Sequence, residues 1–238
     1  MVHAPVGFQC PDCVSNGQVV MRVRSLEDFS PRVTFTIIGI CVAIQLLPWA
    51  GVVSSNWLVQ YFSLWPRAVA AGEVWRLLTA AFLHGGLLHL LMNMYMLMVL
   101  GRQLEYALGR GRFIVLYVIS ALGGSAASYW FNGVDVPSVG ASGAIFGLFA
   151  AIFMFGRERN LNVQEIAAVV GLNLVIGFVV PGIDWRAHLG GLVTGAIVGW
   201  ALIPQRNKAL QWLVPGLAVG AILTAVLMRT AALQGLFY

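Results

Sequence analysis

Seven runs of apolar residues, separated by short segments except for one long connection after the first run, constrain the fold of this chain more than any other feature. A helix needs about 20 mostly apolar residues to cross the hydrocarbon core of a bilayer. Hydrophobic residues make up 59% of the chain and charged residues only 10%, against about 25% charged residues in soluble domains. We therefore predict an all-α, polytopic membrane helical bundle. Its spans are placed at 33–50, 86–107, 113–131, 142–156, 165–181, 186–203 and 211–228.

The basic residues predict the orientation of these spans. With the N-terminus inside the cell, the inner segments hold ten Arg and Lys residues and the outer segments hold four, in agreement with the positive-inside rule. Thirteen of the fourteen basic residues are arginine, a coding bias that favours a GC-rich bacterium. We predict a multi-pass protein of a bacterial inner membrane with a cytoplasmic N-terminus. The net charge of +5 does not predict a nucleic-acid partner, because the basic residues form no patch.

Two polar segments flank the first apolar run and differ in character. Residues 1–32 contain Pro, Gly and Ser, and they do not form a signal peptide because the apolar run starts too late and no cleavage site follows it. The connection 51–85 carries several Trp, Tyr and Phe residues, which suit the headgroup level of a membrane. We predict short helices there in the membrane plane, with an ordinary amphipathic linker as the alternative.

The cysteines do not complete a metal site. Cys10 and Cys13 have the spacing of a zinc knuckle and His3 offers a third ligand, but no fourth is evident and a structural zinc site needs four. We predict no metal and no cofactor, and interpret the pair as the remnant of a longer zinc-ribbon head or as part of an unordered tail. Cys41 lies in the first apolar run and is interpreted as a packing residue.

Polar residues suited to catalysis stand at the same end of three apolar runs. His84, His89 and Asn93 lie at the outer end of the second run. Ser142 begins the fourth run, and His188 lies near the start of the sixth. Ionisable groups at membrane depth are costly and face a bundle interior or a water-filled cavity. Because all three runs enter from outside in the orientation chosen on basic residues alone, we expect these side chains to meet at one depth.

Glycine spacing predicts that the fourth and sixth spans approach each other closely. Gly143-xxx-Gly147 and Gly191-xxx-Gly195 are patterns of small residues one turn apart. Close approach is what a hydrogen bond of about 2.6–3.2 Å between a serine nucleophile and a histidine base requires. The alternatives are that the serine is only a small packing residue, and that the histidine is a satisfied polar contact or part of a proton relay.

Five motifs in series resemble the rhomboid intramembrane serine proteases. They are Trp75-Arg76, His84-xxxx-His89-xxx-Asn93, Gly101-xxx-Glu105, Gly140-x-Ser142-Gly143-xxx-Gly147 and Ala187-His188-xx-Gly191-xxx-Gly195. Their order and spacing cover about residues 70–200. The resemblance implies a rhomboid-like bundle of the bacterial type. Its parts would be a polar cytoplasmic tail over 1–32 that carries the lone CxxC, a six-span core over 33–203 and an additional C-terminal transmembrane helix over 204–238.

The same resemblance implies a catalytic dyad of Ser142 and His188. The backbone N–H of the serine, at the start of a helix, is free to stabilise an oxyanion. Asn93 and His89 would supply further donors from their side chains. Asp184 is a conceivable third member of the catalytic group, but we prefer the dyad and place Asp184 in the polar cap of the site.

Other residues in the motifs have supporting roles in this interpretation. Gly140 and Gly143 let a substrate backbone come close. Phe146 stands where some family members have a tyrosine that stacks under the catalytic histidine, and the stacking does not need the hydroxyl. Arg76 and Glu105 are interpreted as structural residues of the outer loop and of the inner end of the second span.

These observations predict an intramembrane serine endopeptidase whose partners are transmembrane protein substrates and the lipid bilayer. We expect single-span substrates with helix-weakening residues, which enter between the second and fifth spans beneath a lid at 181–184 and are cut near the outer face. One alternative is a non-proteolytic rhomboid-like protein that binds membrane helices. A transporter or channel with a histidine proton relay is a second alternative, disfavoured because the chain shows no internal repeat.

Overall fold

The computed structural model divides the chain into two compact units, Met1–Ser30 and Pro31–Tyr238, and each is described by itself. The residues that the structure describes are 2–3, 8–9, 29–204 and 206–237. In the first unit, β1 (Val2–His3) and β2 (Phe8–Gln9) pair in antiparallel register. Cys10 and Cys13 lie outside the described residues, so the interpretation of the CxxC motif stays a prediction.

The elements of the second unit are all helices, joined by loops and by one isolated β-bridge between Leu64 and Ser138, which confirms the predicted all-α bundle. Its α-helices are α1 (Arg32–Trp49), α2 (Ser55–Phe62), α3 (Pro66–Ala70), α4 (Arg76–Thr79), α5 (Leu87–Leu108), α6 (Arg110–Phe131), α7 (Ser142–Glu158), α8 (Gln164–Val179), α9 (Trp185–Leu202) and α10 (Lys208–Phe237). A 3-10 turn over Ala80–Phe82 follows α4. The three short helices, α2 to α4, occupy the aromatic connection where short helices are predicted.

The seven predicted spans coincide with the seven longer helices, α1 and α5 to α10. Four of these, α1, α5, α6 and α10, are long and apolar enough to cross a membrane, and α8 is a shorter apolar helix. The helices α7 and α9 contain 17 and 18 residues. A chain with this set of apolar helices is an integral membrane protein.

The helices α6, α7 and α9 form the centre of the bundle. In α6, 67% of the apolar window is buried, against 17% in both α1 and α10. The helix α1 packs on α5, and α10 packs on α6 and α9. At the edge, α8 packs on α7 and α9 and leaves an apolar face exposed that includes Leu172, Val175 and Val179. Such a face suits contact with lipid.

Glycines set the distance between α7 and α9. A Cβ atom added to Gly191 would collide with the carbonyl oxygen of Gly143, and one added to Gly195 would collide with the backbone of Gly147. The two helix backbones are therefore in direct contact over one full turn, which small residues allow. This contact confirms the close approach predicted from the two glycine patterns.

Glu105 joins α5 to the first helix. Its carboxylate is fully buried and accepts hydrogen bonds from the backbone N–H groups of Val33 (3.0 Å) and Thr34 (2.9 Å) and from Thr34 Oγ1 (2.8 Å). The first N–H groups of a helix have no intrahelical partner, and α1 has no side-chain cap of its own. Glu105 thus has a structural role as the cap of α1.

Arg76 organises the connection between α1 and α5. Its guanidinium is buried and donates to the carbonyl oxygens of Gln60 (2.6 Å) and Ser63 (3.0 Å) and to the carboxylate of Glu73 (2.7 Å). These carbonyls lie at the end of α2, where carbonyl groups lack intrahelical partners. The preceding Trp75 also donates to a carbonyl of α2, at 3.3 Å. These contacts tie Trp75 and Arg76 to the end of α2, and they provide the support that the sequence predicts for this loop.

Replacement of Glu105 by alanine is expected to destabilise the bundle. The substitution leaves three donors of α1 without an acceptor, and hydrogen bonds to a charged group contribute about 1.5–3 kcal/mol each. We expect a loss of about 2–4 kcal/mol in the free energy of unfolding, measured by denaturant titration in detergent. Glu165→Ala, which removes an exposed carboxylate from the first turn of α8, serves as the control. Equal stability of the two variants would contradict the capping role.

Gly191→Ala is expected to force α7 and α9 apart. Overpacking of a well-packed interface costs about 1–3 kcal/mol, so the melting temperature in detergent should fall. Gly220→Ala is the matched control, because a Cβ there meets no atom within 4 Å and alanine favours a helix by about 1 kcal/mol over glycine. A melting temperature of Gly191→Ala at or above that of the control would show that the interface tolerates a methyl group.

Candidate active site

The structure brings Ser142 and His188 together at one end of the bundle. α7 begins at Ser142, and His188 lies in the first turn of α9. The distance from Ser142 Oγ to His188 Nε2 is 2.8 Å, that of a hydrogen bond. His188 is buried, with 7% of its surface exposed. The parallel packing of α7 and α9 on their glycines places both helix N-termini, and so both side chains, at the same level.

Phe146 supports the imidazole from below. Its ring centroid lies 4.3 Å from that of His188, and the two planes are 11° apart. No described residue forms a hydrogen bond with His188 Nδ1. When Nε2 accepts from the serine hydroxyl, the hydrogen of the neutral ring resides on Nδ1. The geometry therefore contains a Ser–His pair and a stacked aromatic ring, without an orienting carboxylate on the imidazole.

Asp184 is engaged elsewhere. It is the N-cap of α9, where its Oδ1 accepts from the backbone N–H groups of Arg186 (3.2 Å) and Ala187 (3.3 Å). Its Oδ2 accepts from the hydroxyl of Ser128 on α6. Both oxygens are thus bonded to groups other than the imidazole. Sequence reasoning missed Ser128, because a serine within an apolar helix carries no signal that separates a specific partner from a small packing residue.

His89 points toward the start of α7. Its Nδ1 accepts from the backbone N–H of Gly85 at 3.2 Å, so the hydrogen of the neutral ring is on Nε2. A Cβ added to Gly140 would lie 2.9 Å from His89 Nε2 and 3.6 Å from Ser142 Oγ. Gly140 has φ of +132°, a conformation that residues with a Cβ rarely adopt. Glycine at this position therefore allows both the backbone turn and the close approach of the imidazole.

Asn93 lies on the same face of α5 as His89, as its spacing predicts. Its Nδ2 donates to the carbonyl oxygen of His89 at 2.8 Å, and the side chain is buried. An amide nitrogen carries two hydrogens, so a second one is left to donate. All four side chains lie near helix N-termini. His89 and Asn93 are in the N-terminal part of α5, Ser142 is at the start of α7, and His188 is in the first turn of α9.

His84 stands at the edge of this group, in the segment before α5. Its ring lies edge-on to that of His89 with the centroids 5.2 Å apart. Burial, followed by the neighbouring charge of His89, lowers the pKa of His84 to about 4, so its ring is neutral at neutral pH. Across the described part of the chain, no group of three or more His, Cys, Asp or Glu side chains has an arrangement that could hold a metal ion.

The segment that leads into Ser142 is held by the connection between α1 and α5. Gly140 N donates to the carbonyl of Ala80 at 2.9 Å, and Leu64 and Ser138 exchange two backbone hydrogen bonds of 2.9 Å. Arg67 and Asp135 add a bidentate ion pair at 2.6 and 2.8 Å. Hydrogen bonding to the guanidinium lowers the pKa of the Asp135 carboxyl. The sequence reveals no pairing of these segments, since the partners are about 70 residues apart.

Comparisons with known proteins agree with this architecture. The family model described as Rhomboid domain matches residues 71–205. The chain is 34% identical over 216 residues to RHOMBOID-like protein 6, mitochondrial, of Arabidopsis thaliana, an alignment that covers 83% of this chain and 69% of that protein. It is 35% identical over 221 residues to Rhomboid protease GluP of Bacillus subtilis (strain 168), covering 86% of this chain and 40% of GluP.

A third relative, RHOMBOID-like protein 5 of Arabidopsis thaliana, is 40% identical over 145 residues, which cover 58% of this chain and 47% of that protein. The chain thus spans less than half the length of two of these three relatives. The family match extends over more than half of the chain and contains Ser142, His188 and the side chains around them. This chain belongs to the rhomboid family.

Proposed function

We propose that this protein is an intramembrane serine endopeptidase in which Ser142 is the nucleophile and His188 the general base. The observation that carries the proposal is the 2.8 Å contact between Ser142 Oγ and His188 Nε2, formed by two side chains from different central helices at one end of an apolar bundle. A serine hydroxyl becomes a useful nucleophile when a base can take its proton. GluP, the bacterial relative described above, is named a rhomboid protease.

The reaction runs through an acyl-enzyme. Ser142 Oγ attacks the scissile carbonyl carbon while His188 Nε2 takes the hydroxyl proton. The imidazolium then gives that proton to the leaving amine as the C–N bond breaks. A water molecule next attacks the ester, His188 takes a proton from it, and Ser142 regains the hydrogen as the acid product leaves. Stacking on Phe146 keeps the imidazole in one plane through both half-reactions.

In this proposal, three donors stabilise the oxyanion of the tetrahedral intermediate. The backbone N–H of Ser142 lies at the N-terminus of α7, where it has no intrahelical acceptor and where the helix dipole favours negative charge. The second Nδ2 hydrogen of Asn93 and the Nε2 hydrogen of His89 complete the set. Electrostatic stabilisation by preorganised donors of this kind is usually the largest single contribution to the rate of acyl transfer.

The substrates we propose are single-span membrane proteins cut near the outer face of the membrane. A Cβ at Gly140 would meet the His89 ring and one at Gly143 the backbone of Ala187, so these two glycines serve the packing of the site and not, as the sequence predicts, the approach of a substrate. The substrate is proposed to reach Ser142 in an extended conformation. The helix α8 packs only at the edge of the bundle, and its separation from α5 would admit a substrate helix from the lipid. Segments with Gly unwind at lower cost, because glycine is about 1 kcal/mol less favourable in a helix than alanine. The N-terminus is proposed to face the cytoplasm of a bacterial cell.

Ser142→Ala and His188→Ala are each expected to abolish cleavage. Co-expression with an epitope-tagged single-span reporter, followed by immunoblotting, measures the outcome. A fluorophosphonate probe should label the wild-type protein and neither variant, because labelling needs a serine whose proton has a nearby acceptor. Cleavage that persists in purified Ser142→Ala would refute the assignment of the nucleophile.

The same assay separates the alternative function. A rhomboid-like protein that binds membrane helices without cutting them would co-purify with the reporter, leave it intact and resist the probe in its wild-type form. The protease should instead retain the uncut reporter only in the Ser142→Ala and His188→Ala variants. These two patterns do not overlap.

Asn93→Ala is expected to lower kcat with little change in KM. Loss of one oxyanion donor costs a factor of about 100–1,000 in kcat. Asn173→Ala is a matched control, since Asn173 Nδ2 also donates to the carbonyl four residues earlier, at 2.8 Å, but on the exposed surface of α8. Steady-state kinetics with a fluorogenic reporter in detergent distinguish the variants. A similar kcat in both would remove Asn93 from the proposed oxyanion site.

A further inference from the structure

One carboxylate connects the first turn of α9 to α6. Asp184 Oδ1 accepts from the backbone N–H groups of Arg186 and Ala187, at 3.2 and 3.3 Å. Asp184 Oδ2 accepts from the hydroxyl of Ser128, which is fully buried near the outer end of α6. The backbone N–H of His188 donates to the carbonyl of the same aspartate at 3.3 Å. Asp184 thus contacts the turn that carries His188 through both its side chain and its backbone.

That turn fits tightly between α6 and α7. A Cβ added to Gly124 of α6 would lie 2.7 Å from the carbonyl oxygen of Ala187, and one added to Gly143 of α7 would lie 3.2 Å from it. Neither helix has room for the turn to rotate toward it. Rotation away from α6, in the direction of the loop that precedes α9, is opposed by the hydrogen bonds of Asp184 and by the stacking of Trp185 on Phe178 of α8.

The His188 imidazole has few polar contacts of its own. Among the described residues, the imidazole forms one hydrogen bond, to Ser142. Its ring stacks on that of Phe146. Nδ1 has no partner there. Stacking fixes the ring plane but permits sliding within it, so the position of Nε2 depends on the position of the α9 backbone.

We infer that Asp184, held by Ser128, is a positioning residue that sets the distance between His188 and Ser142. It acts through the α9 backbone and not as a third catalytic carboxylate, since both of its oxygens are bonded to other groups. This inference rests on the proposed protease function. A displacement of about 1 Å in a reacting group costs a factor of about 100 in rate, which makes a cap on this turn consequential for catalysis.

Four variants test the inference. Asp184→Ala removes the cap and the bond to α6, Asp184→Asn keeps a good N-cap without the charge, and Ser128→Ala removes only the bond between helices. Ser54→Ala is the control, because it removes an N-cap hydrogen bond of 3.1 Å from α2, remote in sequence from α9. Each purified full-length protein is assayed for kcat and KM on the fluorogenic reporter, and its amide hydrogen exchange is followed over residues 185–190.

Asp184→Ala is expected to lower kcat by about 10- to 100-fold with KM within about twofold, and to speed amide exchange in the first turn of α9. Ser128→Ala should lower kcat by a smaller factor. Asp184→Asn should recover most of the activity, because asparagine and aspartate are about equally good N-caps. Ser54→Ala should match the wild type in kcat and in exchange over residues 185–190.

Two results would overturn the inference. One is an Asp184→Ala protein with wild-type kcat and exchange. The other is an Asp184→Asn protein as inactive as Asp184→Ala with exchange unchanged in both, which would assign the effect to charge. Failure of the protease function is recognised separately, since the wild type would then neither cleave the reporter nor react with the fluorophosphonate. In that case faster exchange in Asp184→Ala would still support the positional role, and unchanged exchange would refute it.

Discussion

Direct backbone contact between α7 and α9 is the constraint on which the candidate site depends. Each helix contributes one polar side chain from its first turn, and neither side chain is long enough to reach the other across an ordinary helix–helix spacing of about 8–10 Å. Because Gly143 packs on Gly191 and Gly147 on Gly195, the two helices lie closer together than this ordinary spacing. The stacked ring of Phe146 and the donors on α5 are then arranged around a contact that the glycines have already made.

The larger part of the fold follows from properties that a single sequence displays. Apolar runs locate the start of every long helix to within three residues, although α10 ends nine residues beyond its predicted span. They do so because a helix in lipid must satisfy its own backbone and present apolar side chains along its length. The meeting of His89, Ser142 and His188 follows from the same analysis, since alternate spans start on the same side of the membrane. Their geometry is now known, whereas their catalytic roles remain proposals.

Contacts between distant segments are what the sequence conceals. Glu105 has a recognisable spacing from Gly101, but nothing in its surroundings indicates that it caps a helix about 70 residues earlier. Ser128 and Asp184 are similarly separated, by 56 residues. Short polar side chains in apolar helices have several satisfactory partners in principle, and only the packed bundle selects one. Hydropathy and local spacing therefore do not predict which partner such a side chain contacts.

The glycine contact also implies that some positions of the protein tolerate substitution and others do not. Where two backbones touch, every side chain larger than hydrogen is excluded, so the mutational routes open to Gly191 or Gly195 are nearly closed. Along the exposed apolar face of α8, by contrast, Leu172, Val175 and Val179 have most of their surface free of protein contacts and can be exchanged for other apolar residues. Related chains should therefore differ most on the helix that lies beside the proposed substrate path, and substrate preference can diverge without disturbing the chemistry.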